Sequence, residues 1–220
     1  MAWAPRRGYH EIVHVPSHFA EDRVEVLHAA LREAGLATLV TTGADGLEAS
    51  HIPLLLEPEP GPLGRLVGHV ARANPQWRTT PGGSAALAIF LGPDAYVTPS
   101  WYPSKRETGR VVPTWNYVAI HALGTVRFFE EPERLLDVIT RLTERHEHPR
   151  PVHWKVTDAP PDYLDGMLKG IVGVELTITR IDGQWKASQN KGEADRRGVE
   201  EGLRSEGEAV MANLVRGRGA

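Results

Sequence analysis

The stretch LATLVTTGADGLEASHIPLLLE, residues 36–57, decides the fold. Its two β-rich runs, Leu36 to Thr42 and Leu47 to Glu57, flank the turn Gly43-Ala44-Asp45-Gly46, which is of the Asp-Gly kind that favours hairpins. Working outward, a Pro/Gly-rich loop (58–64) precedes a further strand, Arg65 to Ala71. An ANPQW turn then leads to the apolar run Ser84 to Gly92, and more strands are expected at Ala95 to Thr98 and Tyr117 to Phe129. Strands joined by short turns, with no helix between them, argue for an antiparallel barrel or sandwich and against a βαβ sheet.

Helices are expected on either side of this meander. Between Ala20 and Ala34, residues Val24, Leu27, Leu31 and Ala34 share one helical face, and Gly35 follows where a helix would stop. Pro132 suits the first turn of a second helix, in which Leu135, Leu136, Ile139 and Leu142 recur at helical spacing up to His146. A Pro-rich loop leads to a short helix, Asp162 to Lys169. The run IVGVELTITRIDGQWKAS (171–188) contains Asp182-Gly183, which suggests a last hairpin. From Gly192 the chain reads as charged, Gly-dotted helix. Without repeats or low-complexity linkers, the expectation is one α+β domain, mainly antiparallel β, over residues 1–220, with 1–14 as an extension and 192–220 as a helical tail.

The bulk composition excludes several functions. At 41% hydrophobic and 24% charged, the 220 residues are ordinary for a globular protein. The complete lack of cysteine rules out disulfides, Cys-ligated zinc, iron–sulfur clusters and thiol nucleophiles. No apolar run has the length of a signal or membrane span, so the cytoplasm is the default expectation. A formal net charge of -3 gives no global attraction to nucleic acid, which stays open as a partner but without support from charge.

The segment YVTPSWYPSKRETGRVVPTWNY (96–117) mixes Trp101, Tyr102, Trp115 and Tyr117 with hydroxyl, amide and basic side chains. Pro99, Pro103 and Pro113 deny it a regular ladder. Such a segment suits the wall of a pocket for a flat polar ligand, or an interface. His10, His14 and His18 are four residues apart, as metal ligands on a helix would be, yet Val13, Val15 and Pro16 argue for an extended stretch there. His146, His148 and His153 sit in a Pro-rich loop without carboxylate company. His51, His69 and His121 fall inside strands. No G-x-S-x-G elbow, phosphate-binding glycine loop or spaced carboxylate pair occurs, so hydrolase and glycosidase chemistry find no support. Arg72, Asn74, Arg78, Lys105 and Arg106 are the donors available to a phosphate. Aromatic planes, amides, hydroxyls and a few cations are what a protein offers a cofactor that carries its own reactivity.

The motifs EASHIPLLLE, GHVARANPQW, GPDAYVTPSWYPSK, VVPTWNYVAIHALG and KASQNKGEADRRGVEEGL, with VPSHF at 15–19, resemble the PaiB family of FMN-binding negative transcriptional regulators. The resemblance covers nearly the whole chain. It implies an FMN-binding split β-barrel, related to the pyridoxamine-phosphate-oxidase-like flavoproteins, working as a homodimer with FMN at the subunit interface. It further implies that Ser50, His51, Ile52 and Pro53 lie along the strand beside the isoalloxazine. His69, Val70, Ala71, Arg72 and Asn74 would hold the ribityl and phosphate end. Trp101, Tyr102, Thr114, Trp115, Asn116 and Tyr117 would close the pocket, and Lys186, Ser188, Gln189 and Asn190 would reach the phosphate or a substrate. Two functions follow: a flavin-dependent redox protein acting on a small molecule, with a nicotinamide as one candidate donor, or a negative transcriptional regulator whose flavin senses or stabilises. The segment 147–153 matches nothing assignable.

Overall fold

The computed structural model describes residues 14–218, so His10 and most of the 1–14 extension lie outside the described residues. The chain divides into two compact units. The larger comprises Glu21–Asp94 and Tyr117–Gly183; the smaller comprises the residues up to Ala20, Ala95–Asn116 and those from Gln184 onward.

The larger unit carries most of an antiparallel sheet. Its strands are β2 (Ala37–Gly43), β3 (Gly46–Ile52), β4 (Leu54–Glu57) and β5 (Arg65–Ala71), together with most of three long ones, β6 (Ser84–Val97), β7 (Thr114–Phe129) and β8 (Ile171–Lys186). The order is β3-β2-β6-β7-β8-β5-β4, and the two-residue β1 (Ala20–Glu21) pairs with β8. The expected single run 47–57 is therefore two strands broken at Pro53, whose missing N–H ends the ladder. These halves are the two edges of the sheet. Seven flat strands would hold the edges roughly 29 Å apart, whereas consecutive residues span only about 7 Å, so the sheet must curl until its edges meet.

Register explains the alternation in the sequence. Leu39 pairs with Ala88 and Thr41 with Ala86, all four buried, while Val40 opposite Leu87 and Thr38 opposite Ile89 lie on the other face. In the β2–β3 hairpin, Gly46 adopts φ 121°, the positive value the turn requires. Asp182-Gly183 does not behave this way. Gly183 is not among the positive-φ residues, Asp182 accepts from Arg180 at 2.9 Å, and β8 continues straight through to Lys186. The expected breaks at Gly92-Pro93 and before Tyr117 are likewise absent, each run forming one long strand.

Helix α1 (Val24–Glu33) buries Leu27, His28 and Leu31, starting four residues later than expected. After β5 comes the one-turn helix α2 (Gln76–Thr79), and after β6 the short α3 (Ser104–Thr108), which belongs to the smaller unit. Helix α4 (Pro132–Glu147) lays Leu135, Val138 and Leu142 on Val67 and Phe129, with Leu168 of α5 (Pro161–Leu168) completing the cluster. Ion pairs fasten α4 along the same side. Glu57 pairs with Arg65 of the neighbouring strand and, at 2.7 Å, with Arg141 of α4, while Glu175 pairs with Arg134 and Arg65. Burial would raise the Glu57 carboxyl, but hydrogen bonds and charge from Arg65 and Arg141 outweigh it and hold the group below its ordinary value. A carboxylate depressed in the folded state adds stability above its unfolded pKa of about 4.3, and this is lost as pH falls through the folded value. Glu57→Gln is therefore expected to lower the melting temperature at neutral pH and to flatten the decline of stability below about pH 4. A variant with the same acid limb as the parent would show that the pairs contribute nothing.

In the smaller unit, α6 (Glu193–Ser205) and α7 (Ala209–Gly217), separated at Gly207, bury Val199, Leu203, Met211, Ala212 and Val215 with Ala95, Val97 and Tyr102. Among the described residues, no helix is long and apolar enough to cross a membrane.

Candidate functional site

The expected site residues form two bonded groups, one in each unit. In the larger unit, β3 turns Ser50 to the same side as buried Ile52, and His51 to the exposed face. Asn74 Nδ2 donates to Ser50 Oγ at 2.7 Å, while Asn74 Oδ1 accepts from the Gln76 amide at 3.0 Å. The asparagine thereby joins the strand to the turn that opens α2. His51 Nδ1 meets Thr38 Oγ1 at 2.9 Å, across the register pair of β2 and β3. This contact fixes the imidazole plane and leaves Nε2 for a ligand or solvent. Pro53 follows at the crossing between the two edge strands.

On β5, Val70 is buried and Ala71 exposed. His69 is half-buried and its Nδ1 is enclosed without a hydrogen-bond partner; burial lowers its pKa, so the neutral ring is favoured. Arg72 is engaged within the protein: Nε donates to the Lys169 carbonyl at 2.6 Å, Nη2 to that of Ile171 at 3.2 Å, and Nη1 to Glu130. It also lies 5.7 Å from the Trp77 ring, with Arg78 at 4.6 Å from the same ring. An open groove of about 640 Å³ beside this ion pair is lined by Trp77, Thr80, Phe128 and Glu130, and so lies away from the Ser50–Pro53 strand.

Gln76 escaped the sequence reading although it sits in the ANPQW turn. Its side chain is 1% exposed, and Nε2 faces Thr41 Oγ1 at 3.0 Å, the Leu39 carbonyl at 3.3 Å and the Glu48 carbonyl at 3.4 Å. Nothing in a single sequence says that one amide will tie two strands to a turn; only the strand register reveals it.

In the smaller unit the side chains of Thr114 and Asn116 bond to the loop that follows β8. Lys186 Nζ donates to Thr114 Oγ1 at 2.6 Å. Asn116 is completely buried and exchanges hydrogen bonds with Ser188, Nδ2 to Oγ at 2.9 Å and Oγ to Oδ1 at 3.2 Å. Ser188 is the one described non-glycine residue with positive φ, at 61°, and these bonds hold it there. Gln189 accepts from the Ala187 amide at 2.7 Å and donates to the Trp185 carbonyl. Burial and then the charge of Lys191 lower the Lys186 pKa. Lys191, also missed in the sequence, places Nζ 4.9 Å from the ring centroid of buried Tyr102. Trp101 packs on α6, and Trp115 is exposed with its ring 6.1 Å from Tyr96. Asn190 is exposed and Tyr117 half-buried, and Lys105 and Arg106 lie on exposed α3.

Taken separately, each group is of a kind that suits part of FMN: the larger unit offers an uncharged strand face for a flat ring, and the smaller offers ammonium, amide and hydroxyl donors for polar groups. Residues 13–180 match the family model described as "Putative FMN-binding domain". The chain belongs to this family. A relative is "Protease synthase and sporulation protein PAI 2" of Bacillus subtilis, 36% identical over 196 residues, 88% of this chain and 90% of that protein, which makes the family the PaiB family. An uncharacterized protein of Emericella nidulans is 34% identical over 91% of this chain and 95% of its own length. Among solved structures, the FAD and heme binding protein from Mycobacterium smegmatis matches with a TM-score of 0.55 at 18% identity, covering 75% of this chain and 71% of that one. The flavocytochrome Anf3 from Azotobacter vinelandii matches with a TM-score of 0.56 at 14% identity, covering 86% and 80%. At these identities the structural likeness establishes the fold, a split barrel with flanking helices. The PaiB-family membership makes this an FMN-binding chain.

Proposed function

We propose that this PaiB-family chain is a flavin-dependent redox protein acting on a small molecule, working as a homodimer. The observation that carries the reading is the exposed His51, whose ring is held by Thr38 on the strand that would lie beside the flavin. An imidazole held through Nδ1 can take up or release one proton at Nε2, as a ligand changing its charge requires. Bound FMN would supply reversible electron transfer.

The chain's own residues bind and orient. In the larger unit, Ser50, His51, Ile52 and Pro53 would line the ring, with the backbone of His69 to Ala71 and the turn at Asn74 nearby. Arg72 uses three of its five N–H groups on Glu130 and the carbonyls of Lys169 and Ile171, which hold the guanidinium in place. The smaller unit separately offers Lys186, Ser188, Gln189 and Asn190 to a phosphate or a substrate, with Trp101, Tyr102 and Thr114 to Asn116 beside them. A regulatory role has less support: Arg197 and Arg204 of α6 are each paired with a glutamate of the same helix, so that helix presents no basic face for DNA.

Anaerobic addition of NADH or NADPH to the FMN-loaded protein is expected to bleach the flavin bands, and light scattering is expected to give the dimer mass. Flavin that neither nucleotide reduces would contradict the nicotinamide-linked reading and favour a sensor; a monomer would contradict the assembly.

A further inference from the structure

We infer that His148 and His153, at the two ends of the Pro-rich turn that follows α4, form a two-histidine site for a divalent transition metal ion of the Cu²⁺ or Zn²⁺ class. The site lies within the larger unit, and no flavin takes part in it.

The segment 147–153 falls in none of the family motifs, and its distinguishing feature is a pair of imidazoles brought together. Both histidines are exposed, and their rings lie with centroids 5.9 Å apart and planes at 63°. Neither ring has a hydrogen bond or ion pair among the described residues, which leaves all four ring nitrogens without a protein partner. Metal–nitrogen bonds of about 2.1 Å put the centroids of two rings on one ion roughly 5 to 6.5 Å apart, depending on the angle at the metal. The observed spacing falls inside that window. Imidazole suits zinc, nickel and copper, and Cu²⁺ binds such nitrogen donors most tightly of the three.

The backbone between the rings is set before any ion arrives. His148 donates its amide to the Glu144 carbonyl at 2.9 Å, at the C-terminal end of α4. Glu147 then closes the turn: its carbonyl accepts from the Arg150 amide at 2.9 Å, and its carboxylate accepts from the Trp154 amide at 3.1 Å. Pro149 and Pro151 fix two of the φ angles between the histidines. Beyond Trp154, the Lys155 amide donates to Asp158 at 2.9 Å, and buried Val156 anchors the chain. A turn tied at both ends gives up little freedom on binding.

Local charge does not oppose a cation. Arg150, which lies between the histidines in sequence, pairs with Glu147 at 3.2 Å. Among the described residues no third histidine or carboxylate joins the two rings, so the ion keeps positions open for water or an added donor. His146, in the last turn of α4, has no ring contact with either histidine among the described residues.

The test titrates Zn²⁺ calorimetrically into the untagged protein and its His148→Ala, His153→Ala and His146→Ala variants, with circular dichroism melts to check folding. Cu²⁺ broadening of the histidine NMR signals locates the ion. The His148 and His153 signals of the parent are expected to broaden together. Because the second ring is delivered within one turn, loss of either histidine is expected to weaken binding roughly 100-fold, while His146→Ala leaves it unchanged. If His148→Ala and His153→Ala each keep the parent affinity, the rings bind separately or the ion sits at other histidines, such as His14 and His18, and the inference is overturned. No uptake by the folded parent overturns it equally.

Discussion

Gly202→Ala is expected to destabilise the smaller unit by about 2–4 kcal/mol, because the added methyl has nowhere to go. A Cβ at this position would lie 2.2 Å from the Trp101 ring, and one at Gly198, a turn earlier on α6, would lie 2.0 Å from the Trp101 carbonyl oxygen. Both contacts are far inside van der Waals distance, and the obstacle at Gly198 is backbone. The two glycines thus form a groove in α6 into which the segment at Trp101 is pressed. On an exposed helix surface the same change would stabilise by up to about 1 kcal/mol, so the two accounts predict opposite signs. Thermal melts of Gly202→Ala and Gly198→Ala decide between them: an unchanged or raised melting temperature would contradict the packing.

Replacing Gln76 by methionine, which keeps length and approximate volume, is expected to cost about 1–3 kcal/mol. The side chain is almost fully buried, and its Nε2 serves the carbonyls of Leu39 and Glu48 and the hydroxyl of Thr41, which itself meets Thr80 at 2.8 Å. Removing the amide strands acceptors from β2 and β3 at once in an enclosed position. Gln76→Glu should be worse, since it places a carboxylate against two carbonyls in the same enclosed position. A denaturant titration in which Gln76→Met matches the parent would show that the network is not holding the turn.

Much of the larger unit was legible in the sequence because its signals are local. Alternation in Ala37–Gly43, the turn ending at Gly46, and the helical spacing of Leu135, Leu136, Ile139 and Leu142 each report directly on one element, although the helix buries Val138 and leaves Leu136 exposed. What misled were local turn signals overridden by the sheet. Gly92-Pro93 and Asp182-Gly183 look like chain reversals, yet β6 and β8 have partners on both sides and pass through them. Pro53 errs the other way. It was read inside one strand, but it is the point where the chain leaves one edge of the sheet and begins the other.

The candidate site was legible in part, for a related reason. The motifs named the segments, and the structure supplies the partners: Thr38 for His51, Ser50 for Asn74, Thr114 for Lys186 and Asn116 for Ser188. Each pair is separated by 13 to 72 residues, and single-sequence patterns carry no information over such distances. Arg72 is a further case: its sequence context suggests a phosphate donor, and the structure adds its bonds to Glu130 and to the carbonyls of Lys169 and Ile171, which no local pattern announces.

The most direct test of the central claim is a fluorescence and absorption titration of the purified protein with FMN. FMN emission should be quenched to a stoichiometric end point of one flavin per chain, with shifted visible bands that remain with the protein through gel filtration. FMN that stays fully fluorescent and elutes apart from a folded protein would contradict the account.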